Sequence, residues 1–389
     1  MKHILYISQK PFYPQTDGGT KAMHLFFQSA AACRDVQLTY MPICTKKHPD
    51  LGMPEGIKQF NYRPLTISTR LNLSKLLMLF FTRYPLNVIR YRERKARKIL
   101  QDTITSHRFD IILCDGFYAL SLIDFNRLQS EKVIYRSHNI ESKYWFLKMS
   151  FSQSWRKIVF SSIYRRMVRY EPQLVRMANT VLCIASDEVK TTMDWNKNSQ
   201  LFPPHIQEFT HKNTRNTESK TSSIGFVGDM NWMPNQLALQ EFIQEIWPLV
   251  LEQNPGLHFH IAGKNSESYT DPKQSIVGHG FLSDLSLFYE VQLLIVNPVR
   301  HGTGFNMKII ESLMHGKTVV SYSDRLSGFS HYKCFSAVNT KDEFVEAISD
   351  LVQSPGFRKE KEDAIEEIIQ LAFNVKDRIH QLEEIIHGS

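Results

Sequence analysis

Cysteine is scarce and scattered. Cys33, Cys44, Cys114, Cys183 and Cys334 are the only five in 389 residues, and none forms a Cys-x-x-Cys pair. An odd, dispersed set argues against a disulfide framework or a structural zinc site and suggests a reducing, cytoplasmic setting. Long apolar runs are missing too: none reaches the roughly eighteen residues of a membrane span. The apolar part of the opening MKHILYISQKPFYP is too short for a signal peptide and reads as a first strand. No repeat of solenoid period is visible. Acid is sparse in the first half. Residues 1–200 hold 31 Lys+Arg against 15 Asp+Glu, a net +16, while the remainder holds 16 against 24, a net −8. Length and charge split together imply two domains with different partners. The basic half suits nucleic acid or anionic lipid, or is simply solvated. No recognised nucleic-acid motif accompanies it.

What is present points to packed cores, with 42% hydrophobic and 12% aromatic residues. The chain is organised around Leu293 to Tyr322. Leu293 to Val296 reads as a buried strand and Asn297 to Gly304 as a loop. Met307, Ile310, Leu313 and Met314 recur at helical spacing, Gly316 stands where a helix ends, and Thr318 to Tyr322 reads as a further strand. This is a strand–loop–helix–strand unit of a parallel sheet. Gly302 and Gly304 let backbone approach a ligand, and the helix N-terminus beyond offers N–H groups to an anion. Arg300 precedes the loop, Lys308 lies one turn into the helix and Glu311 three residues later. Two cations suit a diphosphate, and a carboxylate one turn deeper suits sugar hydroxyls. A surface Lys308–Glu311 pair beside a glycine turn is the bland alternative.

Taken in order, His3 to Ser8 is strand one. Gly18 and Gly19 precede a helix from Lys21 to Cys33 that Thr20 is placed to cap. Val36 to Pro42 and Gln59 to Leu65 read as strands. Leu71 to Leu100 interleaves Arg83, Arg90, Arg92, Arg94 and Lys95 with Leu77, Phe80, Phe81 and Tyr84. Tyr84-Pro85 divides it into two helices, and such a surface can dock on an anionic membrane. Ile111 to Cys114 is a strand with an acidic end, Asp115. Val133 to Tyr135 is another, and His138 follows it, where open α/β sheets hold ligands. Ser154 to Met177 is a second basic helix in which the lone acid, Glu171, is placed to face inward. Ser186 is placed to cap the next helix. A polar stretch from His211 to Ser223 reads as the linker. A second alternating domain starts at Ser223, with strands over Ile224 to Val227, Leu257 to Ile261 and Ser275 to Val277, and a helix from Asn235 to Leu251. The tail from Asp342 to His387 is helical.

Four places resemble the GT-B glycosyltransferases, and family 4 of the retaining, sugar-nucleotide-dependent enzymes in particular. Pro14 to Gly19 resembles the family's N-terminal glycine loop. Arg136-Ser137-His138-Asn139-Ile140-Glu141 resembles a His-Asn-Val-Glu segment of bacterial members. Gly225-Phe226-Val227-Gly228 with Asn235 resembles the start of the donor domain, and Gly278 to Gly328 its second half. The family usually carries two glutamates separated by seven residues. Glu311 matches the second, which holds the donor ribose, and Thr303 stands at the first. The chain fits an Arg-x-Gly-x-Gly-x-x-x-Lys-x-x-Glu version from Arg300 to Glu311.

The resemblance implies two Rossmann-like doubly wound domains facing each other across a cleft, with a C-terminal helix returning to the N-terminal domain. The expected boundaries are an acceptor-binding domain over 1–205, a linker over 206–222, a donor-binding domain over 223–370 and the returning helix over 371–389. The implied activity moves a sugar from a nucleotide-diphosphate sugar to an acceptor hydroxyl with retention, in surface polysaccharide, lipopolysaccharide or glycan assembly. Neither metal nor cofactor is expected. The site set is His138, Arg300, Lys308 and Glu311 for catalysis. Donor contacts are expected from Gly18, Gly19, Gly228, Asn231, Asn235, His279, Gly280, Phe281, Gly302, Thr303, Gly304, Phe305 and Asn306. A glycan or lipid-linked acceptor and the anionic inner leaflet are the further partners, and nucleic acid is not. A sugar-nucleotide epimerase of the same fold and a non-catalytic partner subunit are the competing readings.

Overall fold

The computed structural model describes residues 1–53, 60–129, 131–206, 222–300, 302, 304–326 and 328–388. The chain divides into two units, Met1–Pro204 with Lys376–Ser389, and His205–Val375. The expected linker falls almost wholly outside the described residues.

The first unit is a parallel sheet. Its strands are β1 (Lys2–Ser8), β2 (Val36–Cys44), β3 (Asn61–Tyr62), β4 (Leu65–Thr66), β5 (Ile111–Asp115), β6 (Lys132–Ser137), β7 (Thr180–Cys183) and β8 (Ser199–Leu201). The order is β3-β2-β1-β5-β6-β7-β8, with β4 also paired to β2. Helices cover both faces, so the strands read as continuous apolar runs. The period-two alternation sorts each run into two cores. Leu5, Ile7, Ile112, Cys114, Val133 and Tyr135 enter one core. Ile4, Tyr6, Ile111, Leu113 and Ile134 enter the other. The Val375–His387 helix returns to this unit: Leu382 and Ile386 join the second core, and Arg34 N donates to Glu383 Oε1 at 2.7 Å.

The second unit holds β9 (Ser223–Val227), β10 (His258–Ala262), β11 (Ile276–Gly278), β12 (Ile295–Asn297), β13 (Val319–Tyr322) and β14 (Phe335–Val338), in the order β11-β10-β9-β12-β13-β14. Every pair is parallel. In both sheets the chain winds outward from the first strand in one direction, then returns to its other side. The switch point lies between β1 and β5 in one unit and between β9 and β12 in the other, which is where open α/β sheets bind ligands.

Several local expectations change. The basic segment forms three helices, Leu73–Phe81, Leu86–Tyr91 and Arg94–His107, because the chain breaks at Arg92 and Glu93 as well as at Pro85. Asp17, not Thr20, caps the first helix, which starts at Gly18; Thr20 completes a capping box from the third position. Ser186 opens its helix without capping it. The helix expected from Asn235 begins at Met233 and runs to Gln253 through a π-turn over Phe242–Ile246. Pro248 explains that turn, since its ring cannot accept the regular backbone path. β8 and β14 were not anticipated. Gly316 takes the left-handed conformation expected of it, with φ 67°.

Candidate functional site

In the first unit the switch point is built on a buried carboxylate. Asp115 ends β5 and is fully buried. Arg136, from the paired register position on β6, donates to Asp115 Oδ1 at 3.0 Å, and His138 Nε2 lies 2.5 Å from the same oxygen. The Tyr6 hydroxyl donates to Oδ2. Burial opposes charge on Asp115, but Arg136 and the hydrogen bonds from His138 and Tyr6 hold its carboxyl below the usual range. An ionised carboxylate only accepts, so His138 bonds it through Nε2–H and Nδ1 carries the lone pair. Burial lowers the His138 pKa and outweighs the attraction of Asp115, which Arg136 already neutralises. His138 is therefore a neutral, oriented imidazole at pH 7.

The loop carrying His138 is fastened by two more carboxylates. Glu171 faces inward as expected and accepts from Glu141 N at 2.7 Å and Ser142 N at 2.8 Å, filling the N-terminus of the Glu141–Ser150 helix. Burial pushes the Glu171 carboxyl up to about 8 despite those bonds. Glu188 accepts from Ile140 N at 3.1 Å. Gly18 and Gly19 open the first helix, but its anion is internal: Asp17 accepts from Thr20 N at 2.8 Å and pairs with Lys10 at 2.7 Å.

In the second unit, loops from four strands meet at the C-terminal edge. Gly228 N donates to Ala262 O, Gly263 N to Gly280 O, and Gly280 N to Ser266 Oγ. Gly263 has φ 132°, and a Cβ there would stand 1.7 Å from the Gly228 carbonyl oxygen, so only glycine lets these two loops touch. Asn235 donates to Asp229 O at 3.0 Å, and Asn231 accepts from Asn265 at 2.8 Å.

Lys308 lies under these loops. Its ammonium is 3.2 Å from Asn235 Oδ1 and 3.9 Å from the centre of the Phe226 ring. No carboxylate among the described residues pairs with it at salt-bridge distance. Burial drives its pKa down to about 7 against the pull of Glu311 one turn on. Glu311 accepts from the Tyr289 hydroxyl at 3.4 Å, and that ring stacks on His315. A buried ammonium short of negative charge at a switch point is a ready seat for a phosphate.

Arg300 turns elsewhere. Its guanidinium lies 4.1 Å from the centre of the Tyr322 ring and reaches Asn339 O at 3.4 Å. Arg325, which the sequence reading missed, donates to Gly302 O at 3.2 Å and Gly304 O at 3.4 Å and pins the glycine loop. Phe305 belongs to an aromatic cluster with Phe329 and Phe373. His279 packs against His260 and Phe288, and Phe281 is exposed. Thr303 lies outside the described residues. Buried polar atoms without a hydrogen-bond partner gather along this edge, among them Asn297 Oδ1, Asn306 Nδ2 and Arg325 Nε. Such atoms call for a polar ligand.

Residues 221–354 match the family model described as "Glycosyl transferases group 1". The match covers about a third of the chain and lies within the second unit. Solved glycosyltransferases share the whole fold, which is GT-B. Anabaena Alr3699/HepE, crystallised with UDP-glucose, is 12% identical over 100% of both chains, with a TM-score of 0.67. WaaG, a glycosyltransferase of lipopolysaccharide biosynthesis, is 10% identical over 99% of this chain and 100% of its own, with a TM-score of 0.66. An uncharacterized 44.6 kDa protein in the cps region of Klebsiella pneumoniae is 23% identical over 242 residues. That match spans 59% of this chain and 61% of the relative. The resemblance drawn from the motifs is thus borne out for the fold over the whole chain, and for the family over residues 221–354. The group 1 domain carries Lys308, Glu311, Arg325 and the interlocked glycine loops; His138 and Asp115 lie in the other unit.

Proposed function

We propose that the protein transfers a sugar, with retention, from a nucleotide-diphosphate sugar to an acceptor hydroxyl in lipopolysaccharide or capsule-type polysaccharide assembly. The observation that carries this reading is Lys308: a buried, under-paired ammonium at the switch point of a group 1 domain, with Glu311 one turn away. The leaving diphosphate gains charge as the glycosidic bond breaks. Lys308 and the loop N–H groups stabilise that charge, and a charged hydrogen bond of this kind contributes about 1.5–3 kcal/mol. Glu311 holds ribose hydroxyls. Arg325 keeps the loop carbonyls in register, while Arg300, stacked on Tyr322, takes a lesser part than its place in the motif suggests.

In the first unit, the neutral His138 offers an acceptor lone pair to a sugar or acceptor hydroxyl. The HepE complex with UDP-glucose makes a uridine diphosphate sugar the first donor to try. The basic first unit suits a lipid-linked acceptor at an anionic inner leaflet, where each Lys or Arg near the surface adds roughly 1 kcal/mol. Among the described residues no helix is long and apolar enough to cross a membrane.

A thermal-shift screen over sugar nucleotides tests the donor, since a ligand of the native state raises its stability. A uridine sugar nucleotide should raise the midpoint, and Lys308→Ala and Glu311→Ala should each abolish most of that shift. Wild-type turnover in both variants would remove the site.

A further inference from the structure

The Leu73–Phe81 helix is built inside out. Leu73, Phe80 and Phe81 are 74%, 81% and 83% exposed, and Leu76 and Leu77 are also exposed. The one charged residue, Lys75, is 4% exposed. Its ammonium donates to Arg90 O at 2.8 Å and to Ser68 O. A helix of a globular domain normally turns its apolar stripe inward. Here polar bonds fasten the helix and leave the apolar side chains outside. Asn72 caps the N-terminus by accepting from Lys75 N at 3.0 Å. Arg166, from the long Ser154–Arg176 helix, donates to Leu79 O, Thr82 O and Tyr84 O at 2.9, 2.8 and 3.0 Å, satisfying the C-terminal carbonyls. The helix is thus held firmly by contacts that do not use its apolar surface.

We propose that this helix is the element by which the first unit inserts into the interface of an anionic bilayer. The charge around it selects that occupant. No Asp or Glu occurs between Glu55 and Glu93. Arg70, Arg83 and Arg90 are exposed close to the helix in sequence, and Arg165 and Arg169 are exposed beside and one turn beyond the Arg166 clamp. A second copy of this chain would bring the same cations against themselves. Anionic headgroups neutralise them, while Leu73, Phe80 and Phe81 enter the acyl boundary. The buried Lys75 keeps its ammonium out of that layer. The inference rests on the reading of a membrane-facing first unit and is independent of the donor chemistry.

Vesicle flotation of the full chain tests it, using phosphatidylcholine vesicles with and without phosphatidylglycerol. The wild type should float with the anionic vesicles only. Phe80→Ser combined with Phe81→Ser should lower its partition roughly tenfold or more. The thermal midpoint and the affinity for a uridine nucleotide should not change, because both side chains are in solvent. Equal flotation of wild type and variant overturns the proposal. So does a wild type that ignores anionic vesicles but is a dimer by light scattering, with the double variant monomeric; that result assigns the face to a second copy. Loss of nucleotide binding with flotation intact would count against the transferase reading alone.

Discussion

Under the transferase reading, Lys308 should make donor binding a proton-coupled event. Its pKa in the empty protein is about 7 because burial strips water from the ammonium and supplies too little negative charge in return. At pH 8 about one molecule in ten then carries the charged form. A diphosphate placed against the ammonium restores the ordinary preference for charge. If the pKa in the complex returns to about 10 or above, nearly every complex is protonated at pH 8, and binding takes up about 0.9 proton. A nucleotide sugar is the right probe, since its diphosphate is esterified at both ends and lacks the ionisation near pH 6 of a terminal phosphate. Calorimetry in buffers of small and large ionisation enthalpy reads the uptake as the slope of observed enthalpy against buffer enthalpy. Affinity should also fall by close to tenfold per pH unit above about 7. Lys308→Arg, whose guanidinium stays charged, should bind with neither effect. Tight binding at pH 8 with zero slope would show that Lys308 is already charged or does not meet the diphosphate, and the electrostatic argument would fail.

Four other outcomes follow from the same contacts. Without ligand, the depressed Lys308 pKa means that the unfolded chain holds more protons between about 7 and 10.5. Stability should therefore rise with pH across that window by at most about 1.4 kcal/mol per unit, and Lys308→Met should flatten the rise in chemical denaturation. Asp115→Asn leaves Arg136 buried without its carboxylate, so thermal unfolding should reveal a loss of about 3–5 kcal/mol, against roughly 1 kcal/mol for Tyr6→Phe. Glu171→Gln takes an acceptor from the N-terminus of the Glu141–Ser150 helix and should cost about 1–3 kcal/mol. The raised Glu171 pKa predicts a fall in wild-type stability as pH rises from about 4.5 to 8, and the variant should lose that fall in a pH series of melts. Gly263→Ala would set a methyl group 1.7 Å from the Gly228 oxygen, and a melt should show a loss of at least about 3 kcal/mol.

The alternation of strand and helix was legible because each parallel strand is buried on both faces and so appears as an unbroken apolar run, as in Ile4-Leu5-Tyr6-Ile7 or Ile111-Ile112-Leu113-Cys114. β8 and β14 escaped because Ser199-Gln200-Leu201 and Phe335-Ser336-Ala337-Val338 are short and mixed in polarity. Their strand character comes from pairing with β7 and β13. Lys308 and Glu311 were legible because their spacing on one short helix fixes their relation. Arg325 was not, because it reaches Gly302 and Gly304 from the next loop, a tertiary contact that leaves no local pattern. Asp115 left a weak signal, an acid directly after four apolar strand residues. Its pairing with Arg136 and His138 follows from the β5–β6 register, which the sequence does not print.

The two switch points solve one electrostatic problem in opposite ways. In the first unit, Asp115 is fully served by Arg136, His138 and Tyr6. The charge is balanced internally, and the imidazole it orients stays neutral. In the second unit, Lys308 has one amide oxygen and the face of a ring, and the imbalance is left for a ligand to correct. A balanced site binds by shape and neutral hydrogen bonds, as suits hydroxyls, and its affinity should respond little to salt or to pH near 7. An unbalanced site selects an anion and should respond to both. Under the transferase reading, donor affinity should therefore carry the pH and salt dependence, while the apparent affinity for a soluble, uncharged acceptor should stay nearly flat under the same conditions.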